Sequence, residues 1–194
     1  MIFIVDNYDS FVYNIVQTID YPVEKIMVRR NDEIVVEEIA DPSIGAVIIS
    51  PGPMTPKEAG RSNEIIQICK ALKPILGICL GHQCIGAVFG CQITKSPTPL
   101  HGQKSKILLE KSSLFLDLET EIEAARYHSL QIAQEGFNEQ ELKIIARLED
   151  GTIMGVEHQR YPIFGVQFHP ESILSQAIGK HVFDNFLKIA GIKE

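Results

Sequence analysis

Two short stretches of this 194-residue chain carry the residue types that covalent chemistry needs: Gly77-Ile78-Cys79-Leu80-Gly81 and His169-Pro170-Glu171. The first has the form glycine–x–nucleophile–x–glycine, which places a reactive side chain on a sharp strand-to-helix turn. The glycines are needed because a side chain at either position would crowd neighbouring backbone. Partial positive charge at a helix start favours the thiolate of Cys79. The backbone N–H of Leu80, lacking an acceptor in the first turn, can point at an oxyanion. A nucleophilic thiol needs a base, and the base needs an orienting group. In extended backbone, residues i and i+2 face the same side. His169 and Glu171 are therefore expected to project together, with Pro170 fixing the chain between them. Glu171 would hold one imidazole nitrogen and leave the other for Cys79. Each stretch also has a bland reading: Cys79 as a buried core thiol, and His-Pro-Glu as a surface turn.

The remaining candidates are weaker. Cys69, Cys84 and Cys91 lack a strand–turn–helix setting and read as core thiols. His101, His128, His158 and His181 lack a carboxylate placed like Glu171 and read as satisfied or solvent-facing, with His128 allowed a place near the site. Cys79, His82 and His169 could be considered as metal ligands. However, no Cys-x-x-Cys spacing is present, and a glycine-flanked elbow is an odd place for a ligand, so no metal is expected. No P-loop or G-x-G-x-x-G is found, so nothing requires an organic cofactor.

The elements that must hold these residues follow from the apolar patterning. Ile2-Phe3-Ile4-Val5 reads as a buried strand, with Asp9-Ser10 as the N-cap of a short helix over 11–16. Further strands are expected at 24–28, 46–49 and 74–78, and helices at 58–72 and 82–89, the latter closed by Gly90. Ser50-Pro51-Gly52-Pro53 cannot continue a sheet and must be a loop at a strand's C-terminal end. This alternation implies a mostly parallel sheet with helices on both faces, and a site at the C-terminal edge of its strands. After residue 91 the segments near 105–110, 121–127, 143–148 and 152–157 look antiparallel. A strand over 163–167 and a helix over 172–189 complete an α/β chain, read as a single domain over 1–194.

Composition limits the alternatives. Hydrophobic residues are 45% and charged residues 22%, which suits a globular core rather than a disordered or low-complexity chain. The formal net charge of −7, with Arg29-Arg30 the only adjacent basic pair, argues against nucleic-acid binding. No apolar run has membrane-spanning length, and Met1–Val5 meets Asp6 without a basic segment before it, so neither a membrane anchor nor a signal peptide is expected. Four cysteines without paired spacing fit a reducing, cytoplasmic setting.

Taken together, these blocks resemble the class I, triad-type glutamine amidotransferases. The resemblance is carried by Ser50-Pro51-Gly52-Pro53, by residues 77–83 (G-I-C-L-G-H-Q) and by residues 165–172 (G-V-Q-F-H-P-E-S), and it covers essentially the whole chain. Asp6-Asn7-Tyr8-Asp9-Ser10-Phe11, Arg126-Tyr127-His128-Ser129-Leu130 and His101-Gly102 with Lys104-Ser105 narrow it. They are similar to the glutaminase component of anthranilate synthase and, equally, to that of 4-amino-4-deoxychorismate synthase. The resemblance implies a flavodoxin-like fold, hydrolysis of L-glutamine, and delivery of ammonia to a separate chorismate-binding synthase subunit. It implies Cys79 as nucleophile, His169 as base and Glu171 as its orienter. Gly52 and Leu80 would supply oxyanion N–H groups. Gly52, Pro53, Met54, Gln83, Ser129 and Leu130 would contact the substrate, with Gln83 and the backbone of Ser129 and Leu130 on its α-amino and α-carboxyl groups. The chain departs from the family at Met54, where glycine is usual; a left-handed backbone there would strain a methionine. The rival functions are service to another acceptor synthetase, γ-glutamyl hydrolysis, and the role of a catalytically inactive regulatory subunit.

Overall fold

The computed structural model describes residues 1–97, 99–100 and 102–194. His101, one of the histidines weighed above, lies outside them. The first half alternates strand and helix: β1 (Ile2–Asp6), α1 (Val12–Thr18), β2 (Ile26–Arg30), α2 (Val36–Ala40), β3 (Ala46–Ile49), α3 (Ser62–Cys69), β4 (Ile75–Ile78) and α4 (Leu80–Val88). The second half adds β5 (Ile93–Lys95), β6 (Gln103–Leu109), β7 (Glu121–Arg126), β8 (Leu130–Ile132), β9 (Leu142–Arg147), β10 (Ile153–His158), β11 (Ile163–Val166) and α5 (Gln176–Ile189).

Nine strands form one sheet in the order β2-β1-β3-β4-β11-β10-β9-β6-β7. β2, β1, β3, β4 and β11 run parallel, and the pairings from β11 outward to β7 are antiparallel. This is the mostly parallel α/β architecture with an antiparallel extension that the patterning implied. β1 shows why its residues form a buried strand. Ile2 and Ile4 pack with Val12 and Ile15 of α1 and Phe183 and Phe186 of α5. Phe3 and Val5 point to the other face, among Ile65 and Ile66 of α3 and Leu80 and Ile85 of α4. A strand covered on both faces needs a continuous apolar run, not an alternating one.

Several boundaries differ from expectation for local reasons. Ser10 is not an N-cap: Phe11 precedes α1 with no side-chain cap, and Asp9 instead accepts from the Phe11 N–H at 2.6 Å. Val23–Lys25 form a 3-10 turn before β2. The helix expected over 58–72 is interrupted at Gly60, whose φ of +52° ends the 3-10 turn Pro56–Glu58, capped by Thr55, before α3 begins. Ile173–Ser175 are likewise 3-10 before α5. α2 and the two-stranded β5–β8 sheet were not expected. Because β1, β3, β4 and β11 are neighbours, the loops leaving their C-terminal ends lie side by side.

Candidate active site

The elbow between β4 and α4 is strained as the sequence required. Cys79 has φ 52° and ψ −99°, a left-handed conformation that costs a non-glycine residue roughly 1–3 kcal/mol. It persists because the surroundings fix it. The Cys79 N–H donates to the Val166 carbonyl at 2.8 Å, extending the β4–β11 pairing into the turn. A Cβ on Gly77 would meet the Gly81 carbonyl carbon and oxygen at 2.5 Å, and one on Gly81 would collide with the Ile49 carbonyl. Both glycines therefore exist to let α4 return across β3 and β4. Leu80 is the first residue of α4, so its N–H has no carbonyl one turn back within the helix.

His169 and Glu171 meet as expected, by a different device. They lie in a turn beyond β11, closed by Ser172 N–H donating to the His169 carbonyl at 3.2 Å, and are not alternate residues of a strand. The His169 N–H is anchored on the Ala125 carbonyl of β7 at 3.0 Å. His169 Nδ1 and Glu171 Oε1 are 2.6 Å apart, with both residues buried. A carboxylate only accepts, so Nδ1 carries the proton. Nε2 has no hydrogen-bond partner among the described residues. Burial disfavours the charged ring, but the Cys79 thiolate and the Glu171 carboxylate outweigh it, and the His169 pKa stands well above the ordinary imidazole value. The Tyr127 ring packs edge-on against His169 at 5.0 Å, and its hydroxyl lies 3.4 Å from Ser172 Oγ.

Gly52 follows β3 and reaches Leu80: a Cβ on it would lie 2.9 Å from Leu80 Cδ2. The loop carrying Gly52 and the first turn of α4 carrying Leu80 therefore pack against each other. Pro53 and Met54 are exposed, and Met54 has φ 72°, the left-handed backbone in which a side chain is strained. Gln83 is buried on α4, with Nε2 donating to the Leu130 carbonyl at 3.0 Å and to Gln167 Oε1 at 3.2 Å. The Ser129 carbonyl accepts from Ser96 N–H at 2.8 Å, so the segment 129–130 is fixed beside Gln83. Gln167 lies inside the 165–172 block, where sequence reasoning assigned it no role. It is fully buried and donates from Nε2 to Cys79 Sγ at 3.5 Å. Its place two residues before His169 was the only local signal.

Among the described residues, three further thiols and two buried histidines have environments unlike that of the Cys79–His169 pair. Burial pushes the Cys84 thiol up to about 12, and also raises those of Cys69 and Cys91. His82 is fully buried on α4 against Gly165, and desolvation takes its pKa down to about 3, so it is neutral. His128 is buried beside Leu130: its Nδ1 lies 2.9 Å from the Leu130 carbonyl, and Arg126 Nε donates to its Nε2 at 2.9 Å. Among the described residues no group of three or more His, Cys, Asp or Glu could hold a metal ion.

The profile of the family Glutamine amidotransferase class-I matches residues 3–189. The chain belongs to the class I glutamine amidotransferases. This amidotransferase is 46% identical over 99% of its length to the Bifunctional protein TrpGD of Thermotoga maritima, of which it spans only 33%. It is 46% identical to Anthranilate synthase component 2 of Cyanophora paradoxa, covering 96% of this chain and 98% of that one. It is 42% identical to Aminodeoxychorismate/anthranilate synthase component 2 of Bacillus subtilis, covering 97% and 96%. Among solved structures, the amidotransferase superposes on a chain described as a GMP synthase subunit from Thermoplasma acidophilum. The TM-score is 0.84, with 26% identity and 98% and 93% of the two chains covered.

Proposed function

We propose that residues 1–194 form one amidotransferase domain. It hydrolyses L-glutamine at Cys79 and passes the ammonia to a chorismate-aminating synthase subunit, in anthranilate or 4-amino-4-deoxychorismate synthesis. The observation that carries this reading is the strained Cys79 elbow, whose charge acts on His169, together with the buried His169–Glu171 contact of 2.6 Å, in a member of this family. The near full-length likeness to component 2 proteins supports the choice of acceptor. The net charge of −7 argues against nucleic acid as a partner. No helix among the described residues is long and apolar enough to cross a membrane, and all four cysteines are free, which fits a reducing cytoplasm.

The chemistry follows from the geometry. Cys79 Sγ attacks the γ-carboxamide carbon of glutamine. The C=O electron pair moves to oxygen, and that oxyanion is held by the N–H groups of Gly52 and Leu80. Collapse breaks the C–N bond as His169 Nε2 gives its proton to the leaving nitrogen, releasing ammonia. His169 then takes a proton from water, which attacks the thioester and frees glutamate and the thiolate. Gln83 and the backbone of Ser129 and Leu130 hold the α-amino and α-carboxyl groups. Pro53 and Met54 complete the wall of the site on the exposed side.

The test has two arms. A glutamine-analogue diazoketone is expected to add one adduct, on the Cys79 peptide, because the raised pKa values of Cys69, Cys84 and Cys91 keep them as thiols. In a complex reconstituted with either chorismate-aminating synthase partner, Cys79→Ala is expected to abolish amination from glutamine and leave amination from ammonium salt intact. Labelling on Cys84, or glutamine-dependent product from Cys79→Ala, overturns the reading.

A further inference from the structure

Asn7 follows β1, one strand over from β3 and the Ser50-Pro51-Gly52 loop. It is 2% exposed, and its polar atoms are used on two sides. Toward the loop, its backbone N–H donates to Ser50 Oγ and its Nδ2 donates to the Ser50 carbonyl, each at 2.9 Å. Ser50 Oγ in turn donates to the Pro51 carbonyl at 2.7 Å. Away from the loop, Asn7 Oδ1 accepts from Asn31 Nδ2 at 2.9 Å and from Ser62 Oγ at 2.8 Å. The amide orientation is fixed by this pattern, because the Ser50 carbonyl can only accept and so must face Nδ2. Gly52 rests directly on this residue: a Cβ there would lie 2.6 Å from Asn7 Cβ and 2.7 Å from the Asn7 carbonyl oxygen. Gly60, at φ +52°, leaves room for Asn31 in the same way, its Cβ position lying 2.7 Å from Asn31 Cγ.

A filler of this space would need no such set of bonds. A buried amide with donors on one side and acceptors on the other fixes one geometry, because any shift leaves a polar group unpaired in low dielectric. The geometry it fixes is the path of the backbone into Gly52. We propose that Asn7 is a positioning residue for the oxyanion loop: it sets the Gly52 N–H through Ser50, and Asn31 and Ser62 hold Asn7 in turn. The proposal rests on the reading of Cys79 and Gly52 given above. It makes Asn7 matter to charge that develops in the transition state, and little to glutamine binding.

Asn7→Asp is the discriminating variant. It keeps the acceptor for Asn31 and Ser62, and turns an oxygen toward the Ser50 carbonyl in place of the donor. Ser62→Ala is its companion, removing one contact behind Asn7 and leaving both contacts to Ser50. The reconstituted complex is assayed with glutamine, and alkylation of Cys79 by iodoacetamide is timed separately. That alkylation displaces iodide from a saturated carbon and forms no oxyanion. For Asn7→Asp, kcat is expected to fall about 10- to 100-fold, the scale of a misplaced catalytic group. KM and the alkylation rate are expected to stay within about two-fold. Ser62→Ala is expected to stay within about three-fold of wild type in kcat, since Asn31 still holds Asn7. If Asn7→Asp fails to fold, Ser50→Ala, which deletes the hydroxyl bridging Asn7 to Pro51, is expected to give the same split. A wild-type kcat in the loop variants overturns the proposal. So does an equal loss of kcat and alkylation. Glutamine hydrolysis surviving in Cys79→Ala would instead overturn the underlying reading, and is scored separately.

Discussion

Gly179 of α5 is packed so closely on Pro170 that a Cβ at position 179 would collide with the Pro170 carbonyl oxygen. The helix therefore braces the turn that carries His169 on one side of Pro170 and Glu171 on the other. Gly179→Ala gains about 1 kcal/mol in intrinsic helix propensity. It must also push the helix off the turn, and overpacking of this kind costs about 1–3 kcal/mol. The variant is expected to melt at a lower temperature and to lose most glutamine hydrolysis, while amination from ammonium salt in the complex persists. Thermal unfolding and the two assays check this; a wild-type glutaminase rate would show that α5 does not brace the turn.

The pH dependence of the reaction follows from His169. Its pKa is raised well above the imidazole reference of ~6.5, since the Cys79 and Glu171 charges together outweigh burial. The imidazolium must survive to protonate the leaving nitrogen, so activity is lost when pH rises through that raised value. Removing the Glu171 charge lowers the pKa of His169. Glu171→Gln is therefore expected to move the alkaline limb of kcat/KM to lower pH and to reduce kcat, with little change in glutamine KM. The limbs report the Cys79–His169 pair as a unit. A pH profile with its alkaline limb unmoved would remove Glu171 from the charge balance.

What could be read from residues and what could not has a physical pattern. Cys79 was legible because its glycines, 77 and 81, sit two positions away and mark a turn that nothing else explains. β1, β3 and β4 were legible as continuous apolar runs. α2 and the β5–β8 pair were not, because five- and three-residue segments hold too little periodicity to register. The pairing of His169 with Glu171 was anticipated on strand alternation, and the structure makes it with a turn. Asn7, Gln167 and Gly179 act on partners brought to them by the sheet order and by α5: Asn7 bonds Ser50, 43 positions on, and Gln167 bonds Cys79, 88 positions back. No local pattern encodes such a contact.

Met54 stands at the wall of the site, and its backbone strain is tested by stability alone. Its φ of 72° is left-handed and the residue is 68% exposed, so little buried contact is lost by removing the side chain. A left-handed conformation costs an L-residue about 1–2 kcal/mol, and the extra freedom of an unfolded glycine takes back roughly 0.5–1 kcal/mol. Met54→Gly is expected to be neutral to about 1.5 kcal/mol more stable. Met54→Val, branched at Cβ, is expected to be less stable than wild type. Calorimetric unfolding of the three proteins decides the order. If glycine melts lowest, the exposed methionine makes a contribution that strain does not describe.

Gln167 is the last residue whose role can be separated by substitution. Its amide bridges two parts of the site: Oε1 accepts from Gln83, and Nε2 donates to the sulfur of Cys79. The direction of this chain is set at its far end, where the Leu130 carbonyl can only accept and so holds Gln83 Nε2. A donor aimed at sulfur favours thiolate over thiol. Gln167→Glu keeps the acceptor for Gln83 and replaces the donor with a carboxyl that competes with Cys79 for one proton. Labelling of Cys79 by iodoacetamide is then expected to slow, because a carboxyl in place of the donor disfavours negative charge on the sulfur. Glutamine KM is expected to stay near wild type. Gln167→Leu removes both bonds, so it is expected to raise KM as well, by leaving Gln83 held by the Leu130 carbonyl alone. Labelling rates against pH, set beside kcat and KM for both variants, test the division. If Gln167→Glu leaves the labelling rate unchanged, the 3.5 Å contact with sulfur does not hold the thiolate, and Gln167 serves Gln83 alone.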